Sequence, residues 1–325
     1  MENPPMVSIV TPAYNAASVI AETLQSVRSQ TFTYFEVLIL DDGSTDDTRG
    51  IVQSFCDADL RFRLLPLHHV GLSAARNAGI KQSRGQWIAF LDADDVWLPE
   101  KLAHQMELIR SGPDLDLVFT NYHFWDGTRD LRLRTFYDGM ADKNEILPRL
   151  IDRCTYLVSA VIVRADLFKR VGVFDEALPC CEDWDLWLRM AESGITVAGI
   201  EKPLVRYRRW PGNLSKKRLI MHENKVVVLE KNLHHSRHPA ARRAYERAIA
   251  NARARLELVH ACAYLRTQPG AVRPSVWRAW RLYPRETKWL GWFLLLLWPK
   301  LLGGYKVEDI VHRKLRRRYD SLATT

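Results

Sequence analysis

Cysteine is scarce in this chain: five in 325 residues, without regular spacing. A disulfide framework needs an even, spaced set, so none is expected. Cys180 and Cys181 are adjacent, and because a vicinal disulfide is strained, reduced thiols are expected there. Long apolar runs are lacking too. The longest, Trp289–Trp298 (WLGWFLLLLW), has ten residues, against the roughly 20 a membrane-spanning helix needs. The opening MENPPMVSIVTP has no basic leader followed by an apolar segment, so no secretory signal is expected and a reducing, cytoplasmic setting follows. There is no internal repeat and no low-complexity stretch. With 47% hydrophobic and 26% charged residues, the composition excludes wholesale disorder.

What is present is a charge asymmetry. Residues 201–325 carry 28 Lys and Arg against 9 Asp and Glu, whereas the first 200 carry 19 against 29. An acidic front half suits catalytic or metal-binding carboxylates. A basic rear half suits a polyanion, an anionic membrane surface or simply a solvated helical face. The Trp-rich apolar run lies between Arg278, Arg281, Arg285 and Lys288 on one side and HRKLRRR (312–318) on the other. That arrangement favours the cytoplasmic membrane interface over burial in a core.

The first third alternates β-branched runs with amphipathic stretches. Strands are expected at Val7–Thr11, Phe35–Leu40, Phe62–Pro66 and Trp87–Leu91, with helices at Ser18–Ser29 and Gly71–Gln82. A further helix follows Asp41-Asp42-Gly43-Ser44, capped by Ser44 or Thr45. Such alternation argues for right-handed βαβ units and a mostly parallel sheet. Ligands of such sheets lie beyond the carboxyl ends of the strands, where Asp41, Asp42, Asp92 and Asp94 fall. Later come a strand at Thr155–Val163 and helices at Arg164–Arg170 and Asp183–Ala191. Beyond Pro211-Gly212 the chain turns helical and basic, with an apolar stripe through Tyr245, Ile249, Ala252, Leu256, Val259 and Ala263.

Three acidic clusters carry chemistry. Asp92 and Asp94 bracket one residue after the apolar WIAFL, and a D-x-D there can hold a divalent cation against a diphosphate; Asp95 reads as a helix cap ahead of Pro99. Asp42 could accept a hydrogen bond from a nucleobase imino group or simply serve a turn. Glu182-Asp183-Trp184-Asp185 opens a helix, where carboxylates either compensate the helix dipole or act as a general base.

In order and approximate spacing, VSIVTPAYN (7–15), FEVLILDDGSTDDT (35–48), GLSAARNAGI (71–80), WIAFLDADD (87–95) and CEDWDLWLR (181–189) resemble the family 2 glycosyltransferases. These are inverting enzymes of the GT-A fold, and the motifs cover about the first 210 residues. The resemblance implies that Pro12, Tyr14, Asn15 and Asp42 bind the nucleotide of the donor. It also implies that Arg76 stands near the diphosphate, that Asp94 ligates Mn²⁺ or Mg²⁺ with Asp92 assisting, and that Asp183 is the catalytic base. In RYRRWPGNLS (206–215), Trp210 stands where many relatives have histidine, leaving Arg208 or Arg209 as electrostatic substitutes. His68-His69-Val70 precedes GLSAARN where relatives often have Asn or Gly. The Q-x-x-R-W signature of processive synthases is missing, so a single transfer per encounter is expected.

Competing classes fit less well. A phosphatase of the aspartyl-phosphate kind places its D-x-D after the first strand rather than the fourth. A nucleotidyltransferase wants a glycine-rich, basic first loop, and TPAYNAAS has neither glycine nor basic residue. A polyanion-binding protein explains the basic tail but not the acidic turns. The expectation is therefore an α/β GT-A domain over residues 1–215 and a basic helical, membrane-associating region over 216–325. Its expected partners are a nucleoside-diphosphate sugar, most often a uridine one, and a hydroxyl on a glycan or lipid-linked acceptor in cell-surface or exopolysaccharide biosynthesis, without nucleic acid. The loops around 120–155 are expected to set sugar selectivity.

Overall fold

The computed structural model describes residues 4–284, except 113, 135–138, 142, 211–212, 214–215, 237 and 268. The apolar run 289–298 and the basic cluster 312–318 lie outside the described residues. The chain divides into two units, Met1–Trp210 and Pro211–Thr325.

The first unit is built on one sheet. Its strands are β1 (Val7–Ala13), β2 (Phe35–Asp41), β3 (Phe62–Pro66), β4 (Trp87–Phe90), β5 (Val96–Trp97), β6 (Leu117–Trp125), β7 (Asp130–Arg134), β8 (Gly139–Ala141), β9 (Val161–Arg164) and β10 (Val197–Arg208). The helices between them are α1 (Ile20–Arg28), α2 (Thr48–Ala58), α3 (Leu72–Gln82), α4 (Lys101–Ser111), α5 (Lys143–Asp152), α6 (Leu167–Val171) and α7 (Glu182–Glu192). The strand order is β3-β2-β1-β4-β9-β6-β10-β5, with β7 on β6 and β8 on β10. β3, β2, β1 and β4 run parallel. β1 and β2 are buried along their whole length, which is why they read as unbroken apolar runs rather than alternating ones. β9 enters antiparallel between β4 and β6, and β10 then pairs parallel with β6. The longer ladders are parallel, as expected for this α/β class.

Local expectations fail in four places. The strand expected over 155–163 begins only at Val161, after a 3₁₀ turn at Val158–Ala160. That turn brings Ser159 inward, where its hydroxyl accepts from the Asp92 amide (3.1 Å) and its carbonyl accepts from Trp97 Nε1 (2.7 Å). The span 120–155 is not a set of loops: residues 117–125 form β6, paired with β9 and β10 at the centre of the sheet. Neither Ser44 nor Thr45 caps α2. Asp46 Oδ1 accepts from the Thr48 amide (3.0 Å), and the Ser44 hydroxyl serves the neighbouring loop instead. Asp95 caps no helix, since the cap position of α4 is Glu100.

The second unit contains α8 (Arg218–His235), α9 (Pro239–Thr267) and α10 (Pro269–Leu282). In α9, Tyr245, Ile249, Ala252 and Val259 are buried, but Ala263 at the end of the expected stripe is exposed. A second buried set, Ala254, Leu258 and Ala261, packs with Val272, Val276 and Ala279 of α10. A helix with neighbours on two sides needs two apolar stripes, which a single 3–4 spacing does not display. Ion pairs Arg253–Glu230 (2.7 Å) and Arg278–Glu257 (2.9 Å) join the helices on their exposed sides.

Candidate functional site

The parallel strands deliver their polar residues to one end of the sheet. Tyr14 and Asn15 follow β1, Asp42 follows β2, His68–Gly71 follow β3, and Asp92–Asp95 follow β4. Pro12 is buried within β1 opposite Leu40. Tyr14 is half exposed, and its ring lies 4.4 Å from that of His69. Asp42 is buried, and its two carboxylate oxygens accept from the amides of Val70 (2.6 Å) and Gly71 (2.9 Å). Gly71 at φ 91 turns this loop into α3, a backbone conformation that favours glycine. Asn15 has another task besides any contact with a ligand. Its side-chain oxygen accepts from the Thr45 amide (2.8 Å) and its amide donates to Ser44 Oγ (2.9 Å), so it braces two strand-end loops. Asp41 is buried at the end of β2, where it accepts from the Ser44 amide (3.3 Å) and from the guanidinium of Arg49 (2.7 Å).

The acidic turn after β4 is held from several directions. Asp92 Oδ1 accepts from Arg76 (2.6 Å), and Asp94 Oδ2 accepts from Trp210 Nε1 (3.0 Å). Asp95 is fully buried and accepts from the Arg208 amide (3.0 Å), while its carbonyl accepts from Thr23 Oγ1 (2.8 Å). Burial, and then the neighbouring charges of Asp94 and Asp92, push the Asp95 carboxyl well above the usual range. Asp94 is raised by burial and by Asp92. Carboxylates crowded in this way favour a cation beside them. Among the described residues no cluster of three or more His, Cys, Asp or Glu side chains encloses an ion. The oxygen donors nevertheless fit a magnesium-like ion, which takes one or two carboxylates and completes its shell with phosphate and water. Asp94 and Asp92 are the side chains that would hold it, with Trp210 on one oxygen of Asp94 and Arg76 on one oxygen of Asp92.

The expected substitution of an arginine for the histidine of relatives takes a different form. Arg208 donates to the Asp94 carbonyl (2.8 Å) and to Glu22 (2.5 Å), so its guanidinium supports the turn from behind. Trp210 is the residue that reaches the Asp94 carboxylate.

Arg76, expected near the diphosphate, is enclosed by protein groups. Only 1% of it is exposed. Its guanidinium lies between Asp92 and Glu182 (2.6 and 2.5 Å), over the ring of Phe174. Burial works against its charge, yet the two carboxylates more than offset this and hold its pKa above the usual value. Asp183 follows Glu182 in the first turn of α7. Its Oδ1 accepts from the Trp184 amide (2.7 Å) and its Oδ2 lies 4.0 Å from Cys154 Sγ. Burial, then the charge of Glu182, push the Asp183 carboxyl up to about 7, the range in which a carboxylate can take a proton near neutral pH. Sequence reasoning named Glu182 within the acidic cluster that opens α7 and His69 as a departure before GLSAARN, but gave neither a partner, and it did not single out Ser159. The Arg76–Glu182 pair spans 106 residues, a separation that leaves no local signal. All five cysteines are thiols rather than disulfides.

The profile described as Glycosyl transferase family 2 matches residues 8–172, which takes in every strand-end turn just described. An uncharacterized glycosyltransferase of Rickettsia prowazekii is 31% identical over 193 residues, covering 57% of this chain and 58% of that protein. The chain thus spans little more than half the length of such a relative. A UDP-Glc:alpha-D-GlcNAc-diphosphoundecaprenol beta-1,3-glucosyltransferase of Escherichia coli, WfaP, is 29% identical over 238 residues, or 71% of this chain and 89% of that one. Among solved structures, residues 1–349 of Staphylococcus aureus TarS in complex with UDP-GlcNAc superpose with a TM-score of 0.65. The superposition covers 96% of this chain and 91% of that one at 19% identity, a likeness of fold alone. The fold is GT-A, and with its motifs at the strand ends this chain belongs to glycosyl transferase family 2.

Proposed function

We propose that the protein transfers a sugar from a uridine-diphosphate donor to a hydroxyl of a glycan or lipid-linked acceptor, inverting the anomeric centre and releasing the product after one transfer. The observation that carries this is that α3 and the residue before it bond Asp42, Asp92 and Glu182, which brings the Asp92–Asp94 turn and Asp183, the neighbour of Glu182, to one end of the sheet. Asp42, oriented by the amides of Val70 and Gly71, faces the nucleobase beside Tyr14. Asp94 holds Mn²⁺ or Mg²⁺, which when bound neutralises charge on the leaving diphosphate. Asp183 takes the acceptor proton as the hydroxyl attacks from the face opposite the leaving group, so no covalent intermediate is needed. The donor in the name of WfaP and the nucleotide bound to TarS support the choice of uridine, and the WfaP acceptor supports a lipid-linked one.

The basic region after residue 215 holds the enzyme on an anionic membrane surface in this proposal. Among the described residues no helix is long and apolar enough to cross a membrane, and 28 basic against 9 acidic residues in 201–325 support electrostatic attachment. The test of the donor side is a panel of nucleotide sugars screened by thermal shift with and without Mn²⁺. A uridine donor should raise the melting temperature of the wild type only with the metal, and Asp94→Ala should abolish that rise. An unchanged rise in the variant would remove Asp94 from the metal site.

A further inference from the structure

Two sets of ties place the reacting groups, one on each side of α3. On the donor side, the Asp42 carboxylate holds the amides that open α3. One turn into that helix, Arg76 is fully buried and bonds Asp92 on one side and Glu182 on the other. Glu182 is buried as well, and only the next residue, Asp183, reaches toward solvent. The chain enters α7 through Cys181, a non-glycine residue at φ 62. Such a conformation costs energy and persists only where its surroundings impose it.

We propose that Glu182 is a positioning residue for Asp183, holding the first turn of α7 through Arg76 at a set distance from the Asp92–Asp94 turn. This rests on the proposed role of Asp183 as the base. Other ties hold α7, but elsewhere. Trp184 Nε1 donates to the Leu150 carbonyl (2.6 Å), and Asp185 is bound by Arg189, which also donates to the carbonyls of Val171 and Val173. These fasten the helix to its own side of the sheet. The Glu182–Arg76–Asp92 bridge fastens it to the donor side. Four groups face Asp183: Glu182 from its own helix, Arg76 from α3, Asp92 from the turn after β4, and Cys154 from the segment before β9. Burial dominates the setting of its proton affinity; Glu182 and Asp92 add to it and Arg76 opposes it. A change at Glu182 therefore alters both where Asp183 sits and when it ionises.

The discriminating variants are Glu182→Gln, which keeps an oxygen for Arg76 but removes the charge, and Glu182→Asp, which keeps the charge but shortens the reach. UDP affinity is titrated with Mn²⁺, and steady-state UDP release is followed against pH with the nucleotide sugar that the wild type turns over fastest. Glu182→Gln is expected to lower kcat by about 10- to 100-fold, leave UDP affinity within about twofold, and move the acid limb of the kcat profile down by about one pH unit. Glu182→Asp is expected to lose kcat comparably, keep the affinity, and restore the limb to its wild-type position. A Glu182→Gln enzyme with wild-type kcat, or with an unmoved acid limb, overturns the positioning role. If that variant does not fold, wild-type kcat in Glu182→Asp overturns it. A wild type without turnover on any nucleotide sugar sinks the enzymatic proposal itself, and this inference with it.

Discussion

At the scale of single residues, the chemistry depends on carboxylates in different surroundings. Asp42 accepts two backbone amides, Asp92 is bound through one oxygen by Arg76, Asp94 is crowded by like charge, and Asp183 is shifted into the neutral range. A base must be unprotonated to act, so a carboxyl near 7 is lost as pH falls through that value. The acid limb of kcat for transfer is accordingly expected near pH 7. A limb near 4, the ordinary aspartate range, would mean that another group takes the proton. The motifs flagged these aspartates because their spacing is local. They could not show what holds the aspartates, because Arg76, Glu182, Ser159 and Arg208 come from distant parts of the chain. Arg76 illustrates this: the motif flags the arginine, but not that the buried Glu182 and the part-exposed Asp92 both bind it. Removing one partner of such a buried pair costs about 3–5 kcal/mol, so substitutions of Arg76 itself are expected to unfold the protein before they report on catalysis.

At the scale of elements, the parallel half of the sheet was legible in the sequence and the other half was not. β1 and β2 announce themselves because strands covered on both faces are apolar almost throughout. β6 (LVFTNYHFW) and β10 (VAGIEKPLVRYR) carry polar residues and a proline. Asn121 is buried because its side chain donates to the Glu201 carbonyl (2.7 Å), and the β6–β10 register shifts on both sides of Pro203. A pattern reading sees neither the partner nor the bulge. The close packing beneath the first loops is testable. A β-carbon at Gly85 would stand 2.5 Å from the Ser8 amide nitrogen and 2.8 Å from the Val7 carbonyl carbon, both backbone atoms that cannot swing away. Gly85→Ala is expected to destabilise the protein by about 1–3 kcal/mol in urea unfolding, with UDP affinity unaffected in the folded fraction. Unchanged stability would show that β1 has room to shift.

At the scale of the whole molecule, the two units differ in charge as well as architecture: an acidic α/β unit bearing the reacting groups and a basic helical one. If the second serves attachment, the full chain should co-sediment with vesicles rich in anionic lipid and release as salt rises, and deletion of 286–325 should abolish that binding. A truncated protein that aggregates instead would assign the apolar run 289–298 to a core. The account as a whole meets its most direct test in one measurement: release of UDP from a uridine-diphosphate sugar with Mn²⁺ and acceptor, compared between wild type and Asp183→Asn, with UDP affinity titrated in both. The expected result is loss of at least about 1,000-fold in turnover with donor affinity near that of the wild type. Turnover that survives the substitution would contradict the assignment of Asp183 and with it the geometry on which the proposed reaction is built.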